Sequence, residues 1–178
     1  KEYHRFYPGG EIAAHVVGFT NIDDVGQEGI ELSFDDWLSG KPGKKKVLKN
    51  LYGEIVRDIM PVAEAVPGRN LRLSIDQRLQ FLAYRELKSA IAQYEALSGS
   101  FVLLDVQTGE VLAMANQPSY NPNNRIQLDL SSVRNRAVTD VFEPGSTVKP
   151  FTVAVALESG LDMGYTIDTS PGFLKVDD

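Results

Sequence analysis

Ser146 and Lys149 stand three residues apart in Ser146-Thr147-Val148-Lys149, an S-x-x-K spacing that occurs once in the 178 residues. On a helix, positions i and i+3 share a face, so the lysine amine can reach the serine Oγ. A serine hydroxyl is a weak nucleophile until a neighbouring base takes its proton. A lysine can do so once burial and the positive end of a helix dipole disfavour its charged form. The same helix start offers the Ser146 backbone N–H as an oxyanion donor. The competing reading is a capping serine beside a surface lysine. With 12 serines and 9 lysines, about 0.6 such spacings arise at random in this length, so the spacing alone carries little.

Context adds weight. Pro144-Gly145 is a turn signal, and the apolar run 151–157 ends at Gly160, where a helix C′ glycine would stand. Ser146 is therefore expected to open a buried helix, with Pro150 in the first turn, where a missing N–H costs little. No rival pair competes. The only histidines, His4 and His15, fall early in the chain, and there is no cysteine. That removes a three-histidine zinc site, thiol nucleophiles and cysteine metal sites; no metal and no cofactor are expected. His15, among Ala13, Ala14, Val16 and Val17, reads as a satisfied structural histidine rather than a base. G-x-G-x-x-G and G-x-S-x-G are absent, and Gly40-Lys41-Pro42-Gly43-Lys44 fails the phosphate-loop spacing.

The elements that must position Ser146 follow from the pattern. A hydrophobic fraction of 43% and a charged fraction of 24% suit a globular chain. The net charge of −6 argues against nucleic-acid binding. No apolar stretch approaches the ~18 residues of a membrane span. The start, KEYHRFYPGG, has neither a signal-peptide core nor an initiator methionine, and the chain is expected to be a piece of something longer. Glycines punctuate the first third, so 12–19 and 47–51 read as strands or turns. Lys41, Lys44, Lys45, Lys46 and Lys49 read as a solvated loop, and 61–70 as a linker. Alternation predicts a strand at 71–75. Ser74 and Gln77 have capping-box spacing ahead of a helix over 76–97, stopped by Ser98-Gly99. Strands at 101–105 and 111–115 form a hairpin whose consecutive apolar residues predict cover on both faces. The long loop 117–125 is a candidate for function.

Phe142-Glu143-Pro144-Gly145-Ser146-Thr147-Val148-Lys149-Pro150 resembles the active-serine signature of class B penicillin-binding proteins. The likeness extends through Arg134-Asn135-Arg136-Ala137-Val138-Thr139-Asp140, Thr108-Gly109-Glu110 and Pro118-Ser119-Tyr120-Asn121-Pro122-Asn123-Asn124. Pro67-Gly68-Arg69-Asn70-Leu71 and Leu73-Ser74-Ile75-Asp76 resemble the entry to the transpeptidase domain. Arg5-Phe6-Tyr7-Pro8 and Glu28-Gly29-Ile30-Glu31 resemble the end of the non-catalytic pedestal. The resemblance is specific to the septal peptidoglycan D,D-transpeptidases of Gram-negative bacteria. It implies an α+β fold: residues 1–66 as the C-terminal part of a β-rich pedestal, then 67–178 as the N-terminal part of a penicillin-recognising, serine β-lactamase-like transpeptidase domain.

The resemblance further implies Ser146 as acyl-ester nucleophile and Lys149 as general base, with peptidoglycan stem peptides ending in D-Ala-D-Ala as substrate and β-lactams as inhibitors. It implies a single N-terminal inner-membrane anchor, a periplasmic catalytic domain and division-complex membrane proteins as partners. The family's S-x-N and K-T/S-G motifs do not stand in these residues, so the chain alone is expected to lack the second oxyanion donor. The alternatives are an S-x-x-K carboxypeptidase or β-lactamase, or a non-catalytic piece that binds division partners.

Overall fold

The computed structural model describes residues 5–126, 128–170 and 172, and the chain divides into two compact units, Lys1–Asp140 and Val141–Asp178. The first unit opens with a 3-10 turn, Gly10–Ile12, and three short helices: α1 (Ala14–Val17), α2 (Gly29–Ser33) and α3 (Asp35–Leu38). Strands β1 (Lys44–Lys49) and β2 (Ile55–Ala63) form one antiparallel pair. Helix α4 (Gln77–Gln93) precedes a second antiparallel pair, β3 (Gly99–Leu104) and β4 (Val111–Gln117). Helices α5 (Leu130–Val133) and α6 (Arg136–Thr139) close the unit. The architecture is α+β.

The second pair is the frame. Ala113 and Ala115 of β4 are buried against Ala83 and Tyr84 of α4, with Ile12, Leu79, Leu87 and Leu103 around them. Gln80 is only 2% exposed. Its amide accepts from Met114 N–H at 2.8 Å and donates to the Met114 carbonyl at 2.8 Å, as a neighbouring strand would. A third bond reaches the Ile12 carbonyl at 2.7 Å. One side chain thus satisfies an edge of β4 that would otherwise be an orphan in the interior.

The loop 117–125 acts as a strap. Ser119 Oγ donates to Glu11 O and Tyr120 Oη to Ala14 O. The Asn123 amide pairs with both backbone groups of Tyr7, at 2.9 Å each, and Arg125 donates to Thr20 O. Tyr120, edge-on to His15 and Phe19, lies in a second core with Ala14 and Val133.

Several sequence expectations change. Residues 12–17 form the end of a 3-10 turn and the short helix α1 rather than a strand, and the chain leaves the helix at Gly18. The lysine-rich stretch is solvated, but it is strand β1 rather than loop. Pro61 lies inside β2 and Val66 bridges to Lys41, so 61–70 is not simply a linker. Residues 71–75 form no strand and bend at Ser74: Ser74 Oγ is spent on Val111 O, and Asp76 N–H on Leu112 O. Asp76, not Ser74, caps α4 by accepting from Arg78 and Leu79 N–H, and those two bonds hold its carboxyl below the ordinary range. Helix α4 ends at Gln93, four residues early, because Glu95 turns left-handed at φ +49°. The β3–β4 hairpin stands where expected, but its cover is incomplete. Helix α4 lies mainly over β4, and on β3 Phe101 and Val102, which point to opposite faces, stay 40% and 44% exposed.

Candidate active site

Ser146 lies in the second unit, in a 3-10 turn, Gly145–Val148, that runs into α7 (Lys149–Glu158). Gly145 sits at φ +55°, a conformation an L side chain resists, and lets the chain turn directly before the serine. Thr147 N–H and Oγ1 both bond the Pro144 carbonyl and close the turn. The Lys149 N–H donates to the Ser146 carbonyl, which sets the two residues one turn apart. Ser146, in the first turn, keeps its own N–H outside the helical ladder. Pro150 stands at the start of α7, as predicted. At the far end, Gly160 N–H bonds Leu157 O and Leu161 N–H bonds Ala156 O, the paired bonds of a glycine C′ terminus.

The expectation of a buried helix does not hold. No residue of α7 is buried, and Phe151, Val153 and Val155 are 72%, 56% and 62% exposed. Among the described residues of the second unit, α7 has only the Gly145–Val148 turn beside it as regular structure. Lys149 is exposed, and no Ser146 Oγ–Lys149 Nζ hydrogen bond forms among the described residues. The backbone arrangement that an S-x-x-K site needs is in place, and the desolvated lysine it also needs is not supplied by this unit.

His15 is the structural histidine the sequence predicts: its Nε2–H donates to Ser132 O at 2.8 Å. Burial pushes its pKa down, against that bond and with help from the charge of Arg136. His4 lies outside the described residues. A cleft of about 810 Å³ opens within residues 15–139, on the Met114 side of β4, lined by Val16, Ile30, Leu73, Met114, Val133 and Val138. It holds no nucleophile paired with a base. Among the described residues no cluster of His, Cys, Asp and Glu could hold a metal ion.

Residues 1–73 match the penicillin-binding protein dimerisation domain, and residues 99–178 the penicillin binding protein transpeptidase domain. The chain is 56% identical over 161 residues to the Escherichia coli peptidoglycan D,D-transpeptidase FtsI, covering 90% of this chain and 27% of that protein. It is 48% identical over 178 residues to a probable peptidoglycan D,D-transpeptidase, PbpC, of Pseudomonas aeruginosa, covering 99% and 32%. Penicillin binding protein 3 of Mycobacterium tuberculosis superposes with a TM-score of 0.73 at 36% identity, over 89% of this chain and 32% of that one. The chain belongs to the class B penicillin-binding proteins. It spans about a third or less of the length of these relatives.

In this penicillin-binding protein the two matched regions interlock. Tyr7, Glu11 and Ala14, in the dimerisation match, take their hydrogen bonds from Asn123, Ser119 and Tyr120, in the transpeptidase match. The sequence analysis missed a polar cluster just ahead of Ser146. Asn116, 1% exposed, donates to Asn135 Oδ1 and accepts from Ala137 N–H and Ser100 Oγ. Asp140 accepts from Arg134, Arg136 and Thr139. Burial by itself would raise the Asp140 carboxyl; the bonds from Arg136 and Thr139 and the charge of Arg134 outweigh it and hold it low. The only signal for this cluster in the sequence is the resemblance of 134–140 to the family, which assigns those side chains no contacts.

Proposed function

We propose that the protein is a septal peptidoglycan D,D-transpeptidase, the role of penicillin-binding protein 3, with Ser146 as nucleophile and Lys149 as its base. Residues 1–66 end a pedestal and 67–178 begin the catalytic domain. The carrying observation is the backbone arrangement around Ser146: a glycine-initiated turn that sets an S-x-x-K pair one turn apart, inside the region matching a transpeptidase domain. Ser146 Oγ attacks the carbonyl of the D-Ala-D-Ala bond while its proton passes to the neutral Lys149 amine. The Ser146 N–H donates to the oxyanion. Collapse breaks the C–N bond, and the departing D-alanine nitrogen takes the proton from Lys149. An amine of a neighbouring stem then attacks the ester, gives up a proton, and leaves an amide cross-link with Ser146 reprotonated. A β-lactam would open its ring on the same oxygen; the Mycobacterium tuberculosis relative is known complexed with aztreonam.

An inner-membrane anchor, a periplasmic domain and division-complex partners complete the reading. No helix among the described residues is long and apolar enough to cross a membrane. The test offers the natural full-length protein a stem pentapeptide donor and an amine acceptor. The reading predicts cross-linked dimer and free D-alanine in equal amounts. Free D-alanine with hydrolysed donor and no dimer would mark a carboxypeptidase, hydrolysis of a penicillin a β-lactamase, and no reaction or acylation a non-catalytic role.

A further inference from the structure

The β1–β2 hairpin carries a charge and a shape that the chemistry at Ser146 does not use. Residues 41–63 hold Lys41, Lys44, Lys45, Lys46, Lys49 and Arg57 against only Glu54 and Asp58, in a chain whose net charge is −6. The basic side chains are exposed. Leu51 and Tyr52, at the tip, are 102% and 89% exposed, and Leu48, Ile55 and Val56, directly behind them, are more than half exposed. The tip is nonetheless a built turn. Asn50 Oδ1 accepts from Tyr52 N–H at 3.0 Å and from Glu54 N–H at 2.9 Å. Asn50 N–H donates to Glu54 O, and Gly53 N–H to Asn50 O, each at 3.0 Å. Asn50 Nδ2 donates to the Glu54 carboxylate at 2.7 Å. The donors of Tyr52, Gly53 and Glu54, and the one carboxylate of the turn, are thus occupied within the turn itself.

Occupied backbone donors are what a turn needs before it can enter an apolar medium, where an unpaired donor is costly. Tyrosine suits the headgroup level of a bilayer, with its ring in the apolar zone and its hydroxyl in water. Arg57 lies across from Leu48. Lys49 and Arg57 therefore both fall within roughly 10 Å of Leu51 along the strands, about the distance over which salt leaves a surface charge felt. Lys46 follows behind them. We infer that the hairpin docks tip-first on a bilayer of anionic phospholipid: Leu51 and Tyr52 enter the interface, and Lys46, Lys49 and Arg57 lie among the headgroup phosphates. Charge complementarity selects this occupant. A chain of net charge −6 is repelled as a whole by an anionic surface, so any attraction must come from a local basic patch. Size selects it as well. A tip of two side chains is too small for a stable protein interface, which takes roughly 800 Å² from each partner, whereas headgroups close around a point of entry of any size. The inference does not depend on the role of Ser146.

The test is flotation of the 178-residue chain with vesicles of phosphatidylcholine and phosphatidylglycerol in equal parts, and with vesicles of phosphatidylcholine alone. Binding is expected on the anionic vesicles, about tenfold or more weaker on the neutral ones, and lost at high salt. Lys46→Gln, Lys49→Gln and Arg57→Gln should each weaken it about fivefold. Leu51→Ser combined with Tyr52→Ser should weaken it about tenfold and leave the salt dependence in place. Arg85→Gln, which removes an exposed cation of α4, should change it less than about twofold. All these side chains are exposed, so the melting temperature of each variant should match that of the parent. Equal binding to both kinds of vesicle overturns the inference, as does anionic binding that survives loss of the three cations. Absence of vesicle binding together with a concentration-dependent dimer in sedimentation, abolished by Leu51→Ser, also overturns it and assigns the tip to a second copy of the chain.

Discussion

Helices α4 and α7 are both apolar-patterned, both punctuated by clear local signals, and differ almost completely in what they bury. Helix α4 begins at an aspartate cap and lays Leu79, Gln80, Ala83, Tyr84 and Leu87 on β4. Helix α7 begins at a glycine turn, contains its proline in the tolerated place, ends on a glycine, and buries nothing. The contrast separates two things a sequence can encode. Starts, stops and backbone turns depend on a few neighbouring residues and form wherever those residues stand. Burial depends on what lies opposite, and α7 has no such neighbour among the described residues of its unit.

Breaking the contrast at the chemistry should have the largest effect. Lys149→Arg in the natural full-length protein is expected to be as damaging to penicillin acylation as Lys149→Ala, on the order of a hundredfold or more for loss of a general base. Arginine keeps its charge at any working pH and cannot take the serine proton. Near-normal acylation by the arginine variant would reduce Lys149 to a packing or electrostatic residue. Breaking it at the core comes next. Gln80→Leu strands the Met114 N–H and two carbonyls in the interior. We expect a loss of about 2–4 kcal/mol in denaturant unfolding of the 178-residue chain. In the same assay Val155→Ala, on α7, should change stability by less than about 0.5 kcal/mol. A cost near that of Gln80→Leu would show that α7 is packed after all.

Much of this contrast was legible beforehand, and what was not has identifiable causes. The β3–β4 hairpin, the helix after residue 76, Pro150 at a helix start and the Gly160 stop are local features and could be read from neighbouring residues. Ser74 and Asp76 are both good N-cap residues, so the sequence does not separate them, and only tertiary structure shows Ser74 bonded to Val111 O instead. The apolar run before Gly18 suits strand or helix equally in sequence, and the contacts that settle Ala14–Val17 as helix come from residues 119–135. At the candidate site the spacing of Ser146 and Lys149 could be read directly, whereas the polar cluster that ends at Asp140 could not. It joins Arg134, Arg136 and Asp140 to Asn116, some twenty positions earlier, and no local pattern reports that pairing.

A smaller effect sharpens the account of the body. His15 holds Ser132 O from a buried position, and its pKa lies below the ordinary 6.5. The unfolded chain therefore binds the proton first. Stability should be independent of this group above about pH 7 and decline as pH falls below 6.5, by at most about 1.4 kcal/mol per pH unit. The carboxylates held low, Glu11, Asp76, Asp105, Asp129 and Asp140, lose their contribution only in more acid solution, so the window from pH 7 to 5 isolates the histidine. His15→Gln should flatten the slope there; an unchanged slope would assign it to another group.

The central claim, that Ser146 carries the chemistry, is tested most directly by mapping the adduct. The natural full-length protein is incubated with a penicillin, digested, and analysed by peptide mass spectrometry. The account predicts one added penicillin mass, on the peptide that contains Ser146, and none in Ser146→Ala. An adduct on another peptide, or one that survives Ser146→Ala, would contradict it.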